Sequence, residues 1–280
     1  MMSRALLIAL LLIAAAGAAL FLTQAFPANS WWFPAGASAE AGHVDDEFRA
    51  AFWMLGGLFV AGQLLLAVLV AKWRRDDPAR AAVNGQSRHW AGNWRLEIAW
   101  TAAMAAIFFW FHVSGAHMWS EMMSPVPQAG QIQIEVTGAQ FQWYFRYAGA
   151  DGVLGRVDAQ KFARPDEGNP LGIDPADSAG RDDIVSTAMV VPVGHLVQLD
   201  LRAQDVIHSL FIPAMRFKQD AVPGMTIHKH FTPTKTGNYE IACTQLCGTG
   251  HYRMRAVVRV VSEEEFQQWL KAHEKSLDGN

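Results

Sequence analysis

Two apolar runs without a charged residue, Ala50–Ala71 and Ile98–Ser120, constrain this chain more than any other feature. Each exceeds the ~20 residues that a helix needs to cross a bilayer. Trp53 and Trp73 mark the ends of the first, Trp100 and Trp119 those of the second, as interfacial aromatics do. A buried hairpin in a soluble protein would have similar hydropathy, but two such runs with aromatic ends favour membrane spans. A third run, Ala5–Leu22, follows Arg4. It is longer than the ~7–15 apolar residues of a secretory signal. It fits either a signal peptide ending near Ala25 or a retained helix.

Charge gives the orientation. The connection between the two spans carries Lys72, Arg74, Arg75, Arg80, Arg88 and Arg95, whereas the segment before them carries Glu40, Asp45, Asp46 and Glu47 with one arginine. The excess of basic residues places that connection in the cytoplasm. Everything after about Met122 then lies outside, in an oxidising compartment. The expected divisions are 1–28 (signal peptide or additional helix), 29–124 (helical hairpin with a basic loop) and 125–280 (an exported domain). The formal net charge is −3 and the isoelectric point near 6.4, so no basic stripe for nucleic acid is present.

Ser124-Pro-Val-Pro-Gln128 ends the last span and opens the exported domain. Gln131–Val136 alternates polar and apolar residues, as a half-buried strand does. Further strand patterns are Phe141–Tyr147, Ile184–Val191, His195–Arg202, Met225–Phe231, Asn238–Ala242 and Arg255–Val261. Turn signals separate them, which predicts an antiparallel sandwich or barrel. Ala148–Asp183, rich in Gly, Pro and Asp, reads as a long loop. Ser262-Glu-Glu-Glu265 is a capping box for a final helix running to about Leu277.

The chemistry concentrates in Cys243-Thr-Gln-Leu-Cys247-Gly-Thr-Gly-His251-Tyr-Arg-Met254. The only two cysteines, an imidazole and a thioether fall in one glycine-containing loop. Soft sulfur ligands with imidazole suit copper, with methionine as a weak axial ligand. A Cys243–Cys247 disulfide would strain a loop this tight, and structural zinc more usually takes Cys and His without Met. A single-copper site uses one cysteine; two bridging thiolates suit two coppers, each with a terminal imidazole. His208, in Asp205-Val-Ile-His-Ser-Leu-Phe-Ile-Pro213, can supply the second imidazole.

With these residues in view, the chain resembles subunit II of the haem-copper cytochrome c oxidases. The likeness covers the two-helix anchor, Asp205–Pro213, Lys218-Gln-Asp-Ala-Val-Pro-Gly224 and the Cys-x3-Cys-x3-His-x2-Met loop. It implies a membrane-anchored, cupredoxin-like antiparallel Greek-key β domain after a transmembrane helical hairpin, with a C-terminal helix. It also implies a binuclear copper A centre ligated by His208, Cys243, the backbone carbonyl of Gln245, Cys247, His251 and Met254. The implied role is to take electrons from cytochrome c and pass them to haem in oxidase subunit I. Oxygen is reduced on that other chain, with coupled proton translocation. The implied location is the bacterial inner membrane, multi-pass, with the copper domain on the periplasmic side.

Departures and secondary sites matter too. The family usually has Glu between the cysteines, where it helps hold magnesium at the subunit I boundary. The neutral amide of Gln245 is a poorer ligand for a hard dication, so magnesium is left out of the expected site. Glu97, in Leu96-Glu-Ile-Ala-Trp100, matches the family's proton-uptake residue; the plainer reading is a carboxylate favoured at a helix start. Gly138-Ala-Gln-Phe-Gln-Trp143 aligns with the family's electron-entry segment, with Phe141 in place of the entry Trp. Phe141 and Trp143 should share a strand face and form the donor contact, unless both are core aromatics. His228 and His230 face one way on a strand and could bind metal, although surface histidines are the plainer reading. His112 and His117 lie in the last span without an evident role. The acidic 148–183 loop reads as a solvated surface that helps attract a basic cytochrome, with calcium binding as the alternative.

Three other functions fit parts of the pattern. A quinol oxidase subunit II would lack the copper ligands. A nitrous oxide reductase would need a His-rich catalytic domain. A stand-alone copper carrier would not need two spans and Glu97.

Overall fold

The computed structural model describes residues 2–25, 34–73, 92–123, 131–163 and 168–273. Most of the basic connection, the 124–130 linker, Asp166, Glu167 and the last residues of the expected C-terminal helix lie outside the described residues. The chain divides into a helical unit and a β unit, the latter including Pro34–Val44.

In the helical unit the apolar runs form α1 (Met2–Ala25), α2 (Ala39–Trp73) and α3 (Trp94–Met123). Both α2 and α3 are long and apolar enough to cross a membrane. At 1.5 Å per residue, 35 and 30 residues reach roughly 50 and 45 Å, beyond the ~30 Å hydrocarbon layer. Small residues let α1 approach α2. Ala14 is buried, and a Cβ on Gly17 would lie 2.8 Å from the Phe59 ring. Between α2 and α3, the Ser114 hydroxyl donates to Glu47 at 2.7 Å.

The β unit is a sandwich of two five-stranded sheets. One runs β3-β2-β1-β5-β8, with β1 Ile132–Ala139, β2 Gln142–Tyr147, β3 Ile184–Ser186, β5 Val197–Ala203 and β8 Ile227–Phe231. The other runs β4-β10-β9-β6-β7, with β4 Met189–Pro192, β6 His208–Ile212, β7 Phe217–Ala221, β9 Gly237–Cys243 and β10 Arg255–Val261. Alternation sends Ile134, Val136, Phe145, Leu199 and Leu201 into the core, where Leu210, Ile212, Ile241 and Val258 join them. The cupredoxin-like sandwich is as expected, but the sheets are mixed: β1 pairs with β5, and β4 with β10, in parallel.

Other details differ from the sequence reading. Ile184–Val191 is not one strand. The Ser186 hydroxyl bonds the backbone of Ala188, and this local turn sends β3 and β4 into different sheets. Strands β6 and β7 were not assigned. Phe141 precedes β2 in a turn, and the strand starts at Gln142. The final helix, α4 (Glu263–His273), has the expected capping box: Glu265 N–H donates to Ser262 Oγ at 3.2 Å, and Ser262 N–H to the Glu265 carboxylate at 2.9 Å.

The 148–183 loop is built rather than merely solvated. Asp182 and Asp183 are buried. Asp183 pairs with Arg146 at 2.8 Å, and Arg146 with Glu135 at 2.8 Å, all three nearly inaccessible. Asp158 caps the short 3-10 turn at Ala159. Asp174 pairs with Lys161, and Asp177 with Arg156. Hydrogen bonding to Lys161 chiefly holds the Asp174 carboxyl below the ordinary range. Acidic groups expected to be free for steering are thus largely engaged inside the loop.

Candidate metal centre

Strand ends bring the donors together. β6 starts at His208, and β9 ends at Cys243, which lies opposite Leu210 in the β6–β9 pairing. The loop from Cys243 to Met254 joins β9 to β10 and is closed by Cys243 N–H donating to the Met254 carbonyl at 3.0 Å. Thr244 N–H donates to the Ser209 carbonyl at 3.1 Å, tying the loop to β6.

The cysteine sulfurs are free and 3.9 Å apart, far from the ~2.05 Å of a disulfide. Each has its own imidazole: His208 Nδ1 lies 4.0 Å from Cys243 Sγ, and His251 Nδ1 lies 3.5 Å from Cys247 Sγ. Met254 Sδ is 3.8 Å from Cys247 Sγ, and the Gln245 carbonyl is 3.2 Å from Cys243 Sγ. The donor atoms of His208, Cys243 and Cys247 lie within 4.8 Å of one another, and His251, Met254 and the Gln245 carbonyl each approach one of the two sulfurs. His208, Cys243, Cys247 and Met254 are buried, whereas His251 is partly exposed. Burial, then the neighbouring Cys243, pushes the Cys247 thiol up to about 11. At Cys247 the protein alone thus favours the neutral thiol, so a cation would be needed to stabilise its thiolate. This donor set of two sulfurs, two imidazoles and a thioether fits copper.

The surroundings hold the donors in place. Asp205 Oδ1 lies 2.8 Å from His208 Nε2, which leaves Nδ1 toward the sulfurs. Orientation of a ligand imidazole by a carboxylate is a common support for metal sites. Burial would raise the Asp205 carboxyl, but bonds from Gln140 N–H, His208 and Val206 N–H outweigh it and hold it low. Gly138 leaves room for His208: a Cβ there would lie 2.9 Å from the ring and 3.0 Å from Trp143. On the loop, a Cβ on Gly250 would lie 2.4 Å from the Phe141 ring. Gly248 adopts φ +131°, a conformation open mainly to glycine. The Gln140 side chain donates to the Cys247 carbonyl.

These supports were not assigned from sequence. Only Asp205 gave a signal, three residues before His208 within the same motif. Glycine clearances depend on tertiary contacts.

The other expected sites are dispersed. Trp143 is fully buried, edge-on to His208 at 5.9 Å. It cannot touch a surface-bound donor, so the expected two-residue contact is corrected: Phe141 alone keeps exposed area, because its turn lifts it out of β2. Glu97 lies in the first turn of α3, whose N-terminal N–H groups at Arg95 and Leu96 donate to the Asn93 side chain. His112 stacks on Phe108. His228 pairs with Asp200 at 2.6 Å. Around the metal loop, Leu246 and Tyr252 are each 77% exposed, an apolar rim unremarked in the sequence.

A cupredoxin-like sandwich carrying two buried thiols and two imidazoles at one end, in a chain with membrane-length helices, defines a membrane-anchored protein with a candidate copper site. The family described as cytochrome C oxidase subunit II, periplasmic domain, matches residues 132–261. The alternative cytochrome c oxidase subunit 2 of Bradyrhizobium diazoefficiens is 33% identical over 86% of this chain and 83% of its own length. Cytochrome c oxidase subunit 2 of Cereibacter sphaeroides is 34% identical over 74% of this chain and 68% of its own. A crystal structure of the periplasmic domain of subunit II of cytochrome oxidase from Bradyrhizobium japonicum is 31% identical, covering 53% of this chain and 96% of that one, with a TM-score of 0.39. The chain belongs to the cytochrome c oxidase subunit II family, and is thus a subunit of an oxidoreductase complex with a periplasmic domain.

Proposed function

We propose that this chain is the electron-entry subunit of a cytochrome c oxidase, with a binuclear copper A centre held by His208, Cys243, Cys247, His251, Met254 and the Gln245 carbonyl. The observation that carries the reading is the pairing of two sulfurs 3.9 Å apart, each with its own imidazole. One bridging pair with two terminal imidazoles matches two coppers better than one. The coppers, when bound, would supply a one-electron carrier between cytochrome c and haem in subunit I, where oxygen is reduced and protons are translocated.

The chain's own residues do the rest. Asp205 and the clearance at Gly138 fix His208. Closure by the Cys243–Met254 backbone bond and the Gln140 contact fixes the loop. A rigid, mostly buried donor set keeps water out and limits movement when the charge changes. Phe141, packed on the loop with part of its ring exposed, is the proposed donor contact, and the Leu246/Tyr252 rim widens the surface available to a partner. On the other side of the membrane, Glu97 is proposed to take up protons for subunit I. The topology that goes with this reading is multi-pass in the inner membrane, with the division at 28 and 124. Gln245 offers an amide rather than a carboxylate, so no magnesium is assigned.

Copper content and electron paramagnetic resonance of the purified full chain test the centre. Two coppers per chain with a spectrum of shared valence are expected, and Cys247→Ser should abolish that spectrum. Two coppers and an unchanged signal in the variant would refute the bridging assignment.

A further inference from the structure

The edge strand β8 carries His228 and His230, two apart and hence on one face. Register sets His228 opposite Asp200, and His230 opposite Gln198. This is the polar outer face of the sheet, turned away from the core side that Leu199, Leu201 and Phe231 line. His228 Nδ1 lies 2.6 Å from Asp200 Oδ1. Asp200 is buried, and its oxygens also accept from the Gln198 and Gln133 side chains. Burial works to raise this carboxyl, but the bonds from Gln133, Gln198 and His228 outweigh it and hold it low. An ionised carboxylate can only accept, so the shared proton sits on His228 Nδ1.

That assignment fixes the other nitrogen. Nε2 of a neutral His228 is left with its lone pair, on a side chain 65% exposed. A carboxylate-bound Nδ1 with a free Nε2 is the arrangement that orients histidines as metal ligands and raises their basicity. His230 makes no hydrogen bond among the described residues and lies one step along the same face. Strand residues two apart are separated by about 7 Å, a span that two imidazoles can close around one ion. Glu135 and Arg202, on the same face, are already paired with each other at 3.2 Å.

We propose that His228 and His230 form a second metal site, taking one borderline divalent transition-metal ion, Cu2+ or Zn2+, with water completing its shell. Imidazole donors select ions of this class, and Cu2+ should bind more tightly than Zn2+. The competing account is that the His228–Asp200 pair merely pins the edge strand. His230 separates the two accounts, because it has no part in that pair.

The test is a Zn2+ titration of the full chain in detergent, carrying two coppers and stripped of weakly held Cu2+ by EDTA and gel filtration so that the histidine pair starts empty, followed by calorimetry with the copper spectrum recorded throughout. One Zn2+ per chain is expected with no spectral change. His230→Gln and His228→Gln should each weaken Zn2+ at least tenfold, and Asp200→Asn by roughly 10–100-fold, as loss of an orienting carboxylate does. The same titration on Cys243→Ser/Cys247→Ser chain must give the same zinc site, so a failure of the copper reading cannot masquerade as a failure here. His230→Gln, at a partly exposed position, keeps the test open if Asp200→Asn folds poorly. Wild-type protein that takes up no Zn2+ at tens of micromolar, or a His228→Gln/His230→Gln double variant with unchanged Zn2+ affinity, would overturn the proposal.

Discussion

Gly250→Ala isolates a single steric contact on which the metal loop depends. Gly250 has φ −93° and ψ 6°, which alanine tolerates, so the substitution introduces a methyl group and little backbone strain. That methyl would sit 2.4 Å from both Cγ and Cδ2 of Phe141. Carbon atoms in contact prefer about 3.5–4.0 Å, so ring and loop must separate by more than ~1 Å. Overpacking of this kind costs about 1–3 kcal/mol, a factor of roughly 5–150 in the folded population. The loop that must yield carries Cys247 and His251, so copper affinity should fall with stability. The assay is urea unfolding of the purified protein alongside copper retention against a competing chelator. Phe141→Ala supplies the second leg of a double-mutant cycle. In the double variant the clash is gone, so adding Gly250→Ala to Phe141→Ala should cost under about 0.5 kcal/mol, giving a coupling of at least about 0.5 kcal/mol. Equal costs in both backgrounds would show that Phe141 does not press on the loop as the geometry states.

Three further outcomes follow from the same structure. Phe141→Ala in the assembled oxidase should slow electron entry from cytochrome c while leaving the copper spectrum recognisable; stopped-flow rates unchanged at both low and high salt would place electron entry elsewhere. Glu97→Gln should slow steady-state turnover but leave copper reduction by the donor fast, and normal turnover across the accessible pH range would remove it from proton uptake. Arg146→Leu leaves Asp183 buried, at 1% exposure, with its cation gone, while Glu135 keeps Arg202. Breaking a buried pair in this way costs about 3–5 kcal/mol, and a loss below ~1 kcal/mol in the urea midpoint would show that water reaches the site.

Legibility in the sequence followed how local each signal was. The spans were evident because a bilayer demands long uncharged runs, and beyond the N-terminal run only Ala50–Ala71 and Ile98–Ser120 provide them. The six candidate metal donors were evident because five fall in one loop, and the sixth sits in a motif whose residues resemble a known family. The strands were harder. Met189–Pro192 is buried throughout and so shows no alternation. Phe217–Ala221 buries only its two ends, and its Lys218-Gln-Asp220 centre reads as a connection. Parallel pairing of β1 with β5 is set by contacts more than 60 residues apart, which no local pattern records. Charge was the most misleading property. The Asp-rich 148–183 loop looks solvated by composition, yet Asp183 is buried because Arg146, on the neighbouring strand β2, reaches it.

The same contrast explains how the centre is built. Its donors come from a short segment plus one remote histidine, so the remote histidine is the part most in need of restraint. His208 has it from three directions: Asp205 binds Nε2, Trp143 packs edge-on, and Gly138 withholds the Cβ that would push the ring aside. The loop is restrained through its backbone instead, by Cys243 N–H to Met254, Thr244 N–H to Ser209 and Gln140 to the Cys247 carbonyl. Side-chain restraint on one donor and backbone restraint on the others leave few soft coordinates by which the sulfur–sulfur separation could change. The proposed one-electron role would call for that stiffness, because any rearrangement of the donors would add to the barrier of each transfer. The partly exposed His251 is the exception. Its ring meets Cys247 Sγ at 3.5 Å within the loop, beside the exposed Tyr252, so it is the candidate donor that lies nearest to solvent.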